Sequence, residues 1–441
     1  MMRRLGRLSA SAAVTLCLCA LTTGANAQQG RAAQPSAALP GVPVFEPDPK
    51  WPILPPDWSW GQVIGIFADS RGHVWTSSRS RITEWDPQGK LVQSWDARGP
   101  DGNWSTIHGM FVDHNGFVWT NARESNLTVK FTRTGQVSLV IGKFDETGGS
   151  NDTALMGRPA EIWVDPADNE VFVADGYGNR RVIVFDGATG KYLRHWGAYG
   201  KRPEDPPRRG GGGGGGAAAG GAAGGAAAAG GAAAGGGAAA GGAAAGGAAA
   251  GGARGEAGGR GGGGGGQAQQ GPPPAAPPQQ LSVPHGIVGS RDGLIYVADR
   301  ANNRIQVFRQ NGEYVAERIL RPRCGPQEQA TWTPKRPCGN EAAFSVGFSH
   351  DGPQTYLYVA DGGSHFITVL RRSDLEVVSE FGGPGVGPGQ LGRPHNLSVD
   401  PSGNIFVAEA AGPAVKNAAG ADVEAGFRAQ KFTFKGTKPA R

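Results

Sequence analysis

The sequence has few cysteines and no long apolar run. Only four of its 441 residues are cysteine, and no stretch approaches the roughly twenty apolar residues that a membrane-spanning helix needs. A short apolar run at 10–21 follows three arginines and precedes an Ala-Asn-Ala stretch at 25–27. This order is typical of a cleavable secretory signal peptide. We therefore expect residues 1–27 to be removed and the protein to be secreted or periplasmic, with no membrane span.

The scarcity of cysteine restricts the possible cross-links. Cys17 and Cys19 lie in the predicted signal peptide, which leaves Cys324 and Cys338. In an oxidising compartment the simplest prediction is one disulfide that closes a short loop, worth about 3 kcal/mol against the unfolded chain. A two-cysteine metal site is the alternative.

A strong excess of charge of one sign is also missing from the part of the chain that looks globular. The formal net charge is +6, but three arginines of the predicted signal peptide and a net +3 in residues 201–280 account for it. The remainder is close to neutral. The near-neutral charge therefore excludes an overall basic surface that could bind the phosphates of a nucleic acid. A nucleic-acid partner is excluded with it.

Large apolar side chains are nearly absent from residues 201–280, which consist mainly of Gly, Ala and Pro. A segment of this composition cannot bury enough apolar surface to form a folded domain. We expect it to be a disordered surface insertion. A role in anchoring to a cell wall or another polymer is the functional alternative.

The rest of the chain is organised by an internal repeat. It reads IGIFADSRGHVW at Ile64–Trp75 and HGMFVDHNGFVW at His108–Trp119, and four more copies begin at Ala160, His285, Phe344 and His395. Each copy combines an alternating apolar strand, an Asp/Gly turn and further short strands. Such units, recurring about every forty to fifty residues, are typical of propeller blades.

We therefore predict an all-β fold, a six-bladed β-propeller with blades 1–3 in residues 60–200 and blades 4–6 in residues 281–436. In the N-terminal segment 28–59, a strand near Val42–Phe45 is a candidate to complete the ring. The Gly/Ala/Pro-rich insertion then falls between blades 3 and 4.

Histidine recurs at one position of the repeat. His108, His285 and His395 each begin the innermost strand, in blades 2, 4 and 6. Alternate blades of a six-bladed ring are 120° apart, so the three imidazoles are expected to face the axis at equal height. Zinc favours three such ligands with a fourth position left open. The alternative is a polar channel without metal.

Residues just past each second strand are expected on the same face, because antiparallel pairing places them beside the start of the first strand. The aligned positions are Arg79, Arg123, Tyr177 after Gly176, Arg300, Gly362 and Ala410. Arginine binds carboxylates through both ends of its fork, and a tyrosine beside a metal or an arginine can act as a base. The pattern indicates an anion-and-metal site, with ordinary rim residues as the alternative.

Four stretches of the sequence carry a family resemblance. They are 107–109 (IHG), Val171–Val182 (VFVADGYGNRRV), Ser282–Phe308 (SVPHGI through VADRANNRIQVF) and Pro394-His395. Their wording resembles NHL-repeat six-bladed propellers. At the histidine and tyrosine positions it is similar to the lyase domain of the peptide-amidating enzyme, peptidyl-α-hydroxyglycine α-amidating lyase (peptidylamidoglycolate lyase). This resemblance covers about residues 62–200 and 281–434.

The resemblance implies both a site and an activity. The implied zinc ligands are His108, His285 and His395, the implied base is Tyr177, and the implied carboxylate-binding arginines are Arg79 and Arg300. The implied reaction cleaves an α-hydroxyglycine-type carbinolamide to an amide and glyoxylate. Its substrate would be a small molecule or peptide that carries a carboxylate.

The sequence departs from the family at two positions near the site. The family's aspartate after the third histidine, which is tied to a structural calcium, is Asn396 here, and a family methionine is Arg393. The resemblance therefore gives a weaker basis for calcium than for zinc. Two other functions stay open: a propeller hydrolase or lactonase, and a non-catalytic NHL-type propeller that binds peptides or glycans and holds no metal.

Overall fold

Each predicted repeat forms one four-stranded antiparallel sheet. The computed structural model describes residues 41–58, 60–206, 277–321, 341–410, 415–416, 422–423 and 427–439. Blades 1 to 3 consist of β2 (Val63–Ala68), β3 (Val74–Ser78), β4 (Arg81–Trp85), β5 (Leu91–Asp96), β6 (Ile107–Val112), β7 (Val118–Ala122), β8 (Leu127–Phe131), β9 (Val137–Ile141), β10 (Ile162–Val164), β11 (Glu170–Asp175), β12 (Arg181–Asp186) and β13 (Tyr192–Trp196). The chain thus folds as the all-β, six-bladed β-propeller that the repeats predict.

The second half of the ring follows the same order. Blades 4 and 5 consist of β14 (Pro284–Gly289), β15 (Leu294–Asp299), β16 (Arg304–Arg309), β17 (Tyr314–Ile319), β18 (Ser345–Phe348), β19 (Tyr356–Asp361), β20 (Phe366–Arg371) and β21 (Glu376–Gly382). Blade 6 contains β22 (Pro394–Val399), β23 (Ile405–Glu409) and β26 (Arg428–Lys438). Two short strands, β24 (Val415–Lys416) and β25 (Asp422–Val423), pair between β23 and β26.

The ring closes through the N-terminal segment. Strand β1 (Val42–Asp48) pairs antiparallel with β26, with Val42 opposite Lys438 and Asp48 opposite Lys431. It is the outermost strand of blade 6, whose order is β1-β26-β23-β22. The strand predicted near Val42–Phe45 therefore does complete the ring, and it extends three residues further.

The Asp/Gly turns of the repeat have a local physical reason. In blade 2, the Gly116 amide donates to the Asp113 carbonyl at 2.9 Å, with Gly116 at φ +82°, a conformation that favours glycine. The Asp113 carboxylate accepts from the Phe117 amide at 3.0 Å and from the Trp119 indole at 2.8 Å. One aspartate thus holds both the turn and the aromatic side chain that follows it.

Apolar side chains pack between blades. The described residues contain six clusters of buried apolar side chains, one at each interface between adjacent blades. Burying one such side chain stabilises the fold by about 1.5–3 kcal/mol. The first strands of the blades contact one another around the axis, from β2 through β6, β10, β14 and β18 to β22 and back to β2. The strand starts that carry the candidate residues are therefore held in one ring.

Several sequence predictions lie outside the described residues: the signal peptide, the Cys324–Cys338 disulfide and residues 207–276 of the insertion. The flanks of the insertion contact the rest of the chain, since Arg304 Nη1 donates to the Pro278 carbonyl at 2.7 Å and Asn151 Nδ2 donates to the Pro203 carbonyl at 2.9 Å. Within the described chain, no helix has the length and apolar character needed to cross a membrane.

Candidate metal centre

Three histidines meet on the propeller axis. His108 on β6, His285 on β14 and His395 on β22 have ring centroids 5.0 Å (His108 to His285), 4.8 Å (His108 to His395) and 4.7 Å (His285 to His395) apart. His108 and His285 are fully buried, and His395 is 6% exposed. Among the described residues, they form the one group of three or more His, Cys, Asp or Glu side chains close enough to hold a metal.

Each histidine is oriented by the main chain of the following blade. The partner is the carbonyl at the equivalent repeat position, where blades 3, 5 and 1 have a different side chain. The Nδ1 distances are 2.8 Å from His108 to Ala160, 2.7 Å from His285 to Phe344 and 3.0 Å from His395 to Ile64. Because a carbonyl only accepts, each Nδ1 carries the proton, and each Nε2 keeps its lone pair for the axis.

The imidazoles are in the form that binds metal. Burial lowers the pKa of all three well below the ordinary value, and nearby positive groups, Arg300 among them, lower it further. The rings are therefore neutral at neutral pH, as metal ligation requires. Their ligand atoms lie within 4.8 Å of one another. Three converging neutral imidazoles with fixed tautomers are a ligand set that can hold a metal ion.

Tyr177 reaches the histidines from blade 3, which lies between blades 2 and 4. Its hydroxyl is 3.2 Å from His108 Nε2 and 3.0 Å from His285 Nε2. The preceding residue must be glycine, since a Cβ on Gly176 would lie 1.9 Å from the Pro284 carbonyl oxygen. The close approach of blades 3 and 4 at Gly176 thus brings the phenol to the axis.

Two arginines flank this tyrosine. Arg300 donates from Nη1 to the Tyr177 hydroxyl at 3.0 Å, and its guanidinium carbon lies 4.0 Å from the centre of the Phe344 ring. Arg123 lies over the Tyr177 ring at 4.5 Å. The phenol oxygen therefore has a cationic donor on one side and two imidazole nitrogens on the other.

Arg79 is not brought into this cluster. It is exposed, its backbone has φ +57°, and its side chain covers Gly61. Among the described residues its guanidinium makes no hydrogen bond or ion pair. The cause is turn length: blades 2 and 4 join their second and third strands through a 3-10 turn that starts at Arg123 or Arg300, whereas only Arg79 and Ser80 join β3 to β4.

Sequence reasoning missed three charged residues that pair with one another or with the arginines of the site: Glu341, Glu124 and Arg158. Glu341 pairs with both Arg300 and Arg393 at 2.8 Å, and Glu124 pairs with Arg123 at 2.7 Å and with Arg158 at 2.5 Å. Arg158 and Arg393 each stand two residues before the histidine register, a signal that the repeat alignment contained. Glu341 lies in the connection before β18, outside the repeat, so no such signal existed for it.

A polar layer lies one residue beyond the histidine register. Asn396 donates to the buried Glu161 from the opposite blade and accepts from the Ser345 hydroxyl at 3.2 Å. The Met110 amide donates to Glu161 at 3.0 Å. These groups satisfy one another without an ion, so the geometry adds no support for calcium. Beyond them is a cavity of about 420 Å³.

The comparison with protein families agrees with the repeat in the fold. The NHL repeat family model matches residues 281–308, which span the first strands of blade 4. No curated protein sequence matches the chain. The chain is similar to a solved streptogramin B lyase, with 12% identity, 89% of this chain and 98% of that chain covered, and a TM-score of 0.45.

Two further solved structures belong to virginiamycin B lyase from Staphylococcus aureus. One has 13% identity, covers 83% of this chain and 85% of that chain, and has a TM-score of 0.40. The other, a catalytically inactive variant with quinupristin, has 12% identity, covers 89% and 99%, and has a TM-score of 0.42. Similarity at 12–13% identity does not indicate the activity of this chain.

The sheet topology and the family match define the class of protein, a six-bladed β-propeller that carries an NHL repeat. Within that class, the resemblance to the amidating lyase stays a prediction.

Proposed function

We propose that the protein is an exported zinc-dependent lyase that cleaves an α-hydroxyglycine-type carbinolamide to an amide and glyoxylate. The observation that carries the proposal is the Tyr177 hydroxyl, which lies within 3.2 Å of two histidine Nε2 atoms and accepts from Arg300 at 3.0 Å. A phenol held this way is a candidate general base beside a candidate metal.

His108, His285 and His395 would hold the zinc ion through Nε2. When bound, zinc supplies a Lewis acid that polarises a substrate oxygen. The Nδ1 bonds to main-chain carbonyls keep the imidazoles from turning, which preserves the ligand set between turnovers.

Tyr177 would take the proton of the carbinol hydroxyl. As this proton leaves, the carbon–oxygen bond becomes a carbonyl, the carbon–nitrogen bond breaks, and the departing amide nitrogen takes up a proton. Arg300, which donates to the phenol oxygen, would stabilise the negative charge that this oxygen carries before it takes the proton, and the same proton would then pass to the departing nitrogen. Both products, the amide and glyoxylate, follow without a further reactant.

The charge around the site supports an anionic substrate. Three arginines lie near the tyrosine and the histidines: Arg123, Arg300 and Arg393. Burial is the main cause of the lowered pKa of His395, and the charges of Arg300 and Arg393 lower it further. A carboxylate of a small molecule or peptide is the anion that the proposed reaction requires. Arg300 is our candidate to hold it, whereas Arg79 lies outside the cluster.

Glyoxylate release from an α-hydroxyglycyl peptide tests the proposal. We expect the wild type to release glyoxylate and Tyr177→Phe to be at least about 100-fold slower, because it lacks the base. Its free energy of unfolding should change by only about 1 kcal/mol, one hydrogen bond. Tyr192→Phe is the matched control, since that hydroxyl also bonds a histidine, His195, at 2.8 Å on the outer strand β13.

The outcomes separate the alternatives. A wild type that releases no glyoxylate contradicts the lyase proposal. Release by the wild type with Tyr177→Phe equally active leaves the lyase and removes Tyr177 as its base. A binding propeller that holds no metal would show no turnover, and wild type and His285→Ala would contain equally little metal.

A further inference from the structure

Two arginines of the site share one carboxylate oxygen of the protein itself. Arg300 and Arg393 each donate from Nη2 to Glu341 Oε2 at 2.8 Å. The guanidinium carbons lie 4.0 and 5.2 Å from the centre of the Phe344 ring. The two forks therefore lie against one aromatic side chain and converge on one anion.

Both outer nitrogens of Arg300 already donate to a residue of the site. Nη1 donates to Tyr177, Nη2 donates to Glu341, and Nε is buried with no hydrogen-bond partner among the described residues. A carboxylate binds a guanidinium best through two parallel hydrogen bonds. A carboxylate that binds both outer nitrogens of Arg300 competes with Tyr177 at Nη1 and with Glu341 at Nη2.

Glu341 is the replaceable partner. Its side chain is 39% exposed, whereas that of Arg300 is 11% exposed. It lies in the connection before β18. Its backbone has φ +58°, a conformation that residues other than glycine rarely adopt. Burial alone would raise the pKa of its carboxyl, but Arg300 and Arg393 together lower it. Glu341 is thus a carboxylate held at an anion site near solvent.

We propose that Arg300 and Arg393 form a clamp for the substrate carboxylate, and that Glu341 is a resident carboxylate which the substrate displaces. The clamp deepens the proposed function and rests on it for the identity of the substrate. It predicts ligands of one chemical class: small α-hydroxy or α-oxo carboxylates, with the carboxylate at the arginines and the α-oxygen near Tyr177.

Displacement of Glu341 by the substrate predicts how the affinity for a carboxylate ligand depends on this residue. While Glu341 fills the clamp, only a fraction of molecules can bind a ligand there, and the apparent Kd rises in inverse proportion to that fraction. We measure glyoxylate binding to zinc-loaded protein by titration calorimetry. Glu341→Gln should tighten the Kd for glyoxylate about tenfold. A thermal melt of each variant confirms that it is folded.

Two further variants make the result specific. Glu124→Gln removes an equal charge that also pairs with two arginines of this face, Arg123 and Arg158, and should change the Kd less than about twofold. Arg393→Met removes one half of the clamp and should weaken binding about tenfold. Added to Glu341→Gln, it should abolish the gain.

The clamp is overturned if Glu341→Gln binds glyoxylate no better than wild type, or if Glu124→Gln gains as much. Its failure is distinct from that of the lyase, since binding requires no turnover. Tighter binding by Glu341→Gln in a protein that releases no glyoxylate from peptide supports the clamp and removes the lyase. Turnover without any gain in Glu341→Gln supports the lyase and removes the clamp.

Discussion

At the scale of single residues, the bond from each histidine to the next blade decides which nitrogen faces the axis. The acceptors are backbone carbonyls of Ile64, Ala160 and Phe344. Because a backbone carbonyl is the same in every residue, these positions tolerate three unrelated side chains. The sequence therefore predicts the three histidines from their register but gives no sign of the groups that orient them.

Glu161 gives a prediction at this scale. Burial raises the pKa of its carboxyl to about 8, despite hydrogen bonds from Met110, Ile162 and Asn396 that lower it. The folded pKa is above the unfolded value of about 4.3, so the wild type should lose stability as pH rises from about 4 to about 8. The glutamine of Glu161→Gln cannot titrate. The variant should therefore avoid this pH-dependent loss, which is up to about 4 kcal/mol in the wild type.

Urea unfolding at pH 5 and pH 8.5 measures the difference. All other titrating groups are common to both proteins, so the change in the gap between them isolates Glu161. Relative to the wild type, Glu161→Gln should have a higher free energy of unfolding at pH 8.5 than it has at pH 5. Parallel pH dependence of the two proteins would show that Glu161 keeps an ordinary pKa in the fold.

At the scale of elements, turn length marks the limit of sequence reasoning. The repeat aligned Arg79 with Arg300, but their turns contain two and four residues, Arg79–Ser80 and Arg300–Asn303. Register along a strand can be predicted from alternation, because each residue advances the chain by a fixed step. The direction of a side chain after the strand depends on the turn, which that alternation does not encode.

Gly176 tests how one turn positions the base. A Cβ there would lie 1.9 Å from the Pro284 carbonyl oxygen, so Gly176→Ala must push blades 3 and 4 apart. We expect a loss of about 1–3 kcal/mol in the free energy of unfolding, the usual cost of overpacking. Glyoxylate release should fall as well, because Tyr177 is the next residue.

Gly352→Ala is the matched control, since no atom lies within 4 Å of its added Cβ. That variant should unfold within about 0.5 kcal/mol of wild type. Equal stability of the two variants in denaturant titration would contradict the close approach at Gly176.

At the scale of the whole molecule, closure of the ring joins the two ends of the described chain. β1 pairs with β26, and Phe45 stacks on Phe381 at 4.9 Å. The repeat predicted six blades, and a strand near Val42–Phe45 in the N-terminal segment was a candidate to complete the ring. Glu341 and the acidic partners of the arginines could not be found this way, because they lie in connections whose paths only the folded ring determines.

The insertion should be dispensable for folding. Residues 208–275 lack the apolar side chains of a core, whereas Pro278 and Gln280 accept hydrogen bonds from the buried Arg304. Replacing 208–275 by a short Gly/Ser linker should preserve one cooperative melting transition. Extending the deletion through Gln280 should cost about 2 kcal/mol, because Arg304 loses acceptors. Loss of cooperativity in the shorter deletion would contradict this account.

The metal content of the purified protein tests the central claim most directly. We predict about one zinc per chain by elemental analysis of protein never exposed to a chelator, because three neutral imidazoles converge on the axis. His285→Ala should lose most of this zinc, while His350→Ala, a histidine outside the cluster, should retain it. A folded wild type without stoichiometric metal, or with equal metal in His285→Ala, would contradict a three-histidine metal centre.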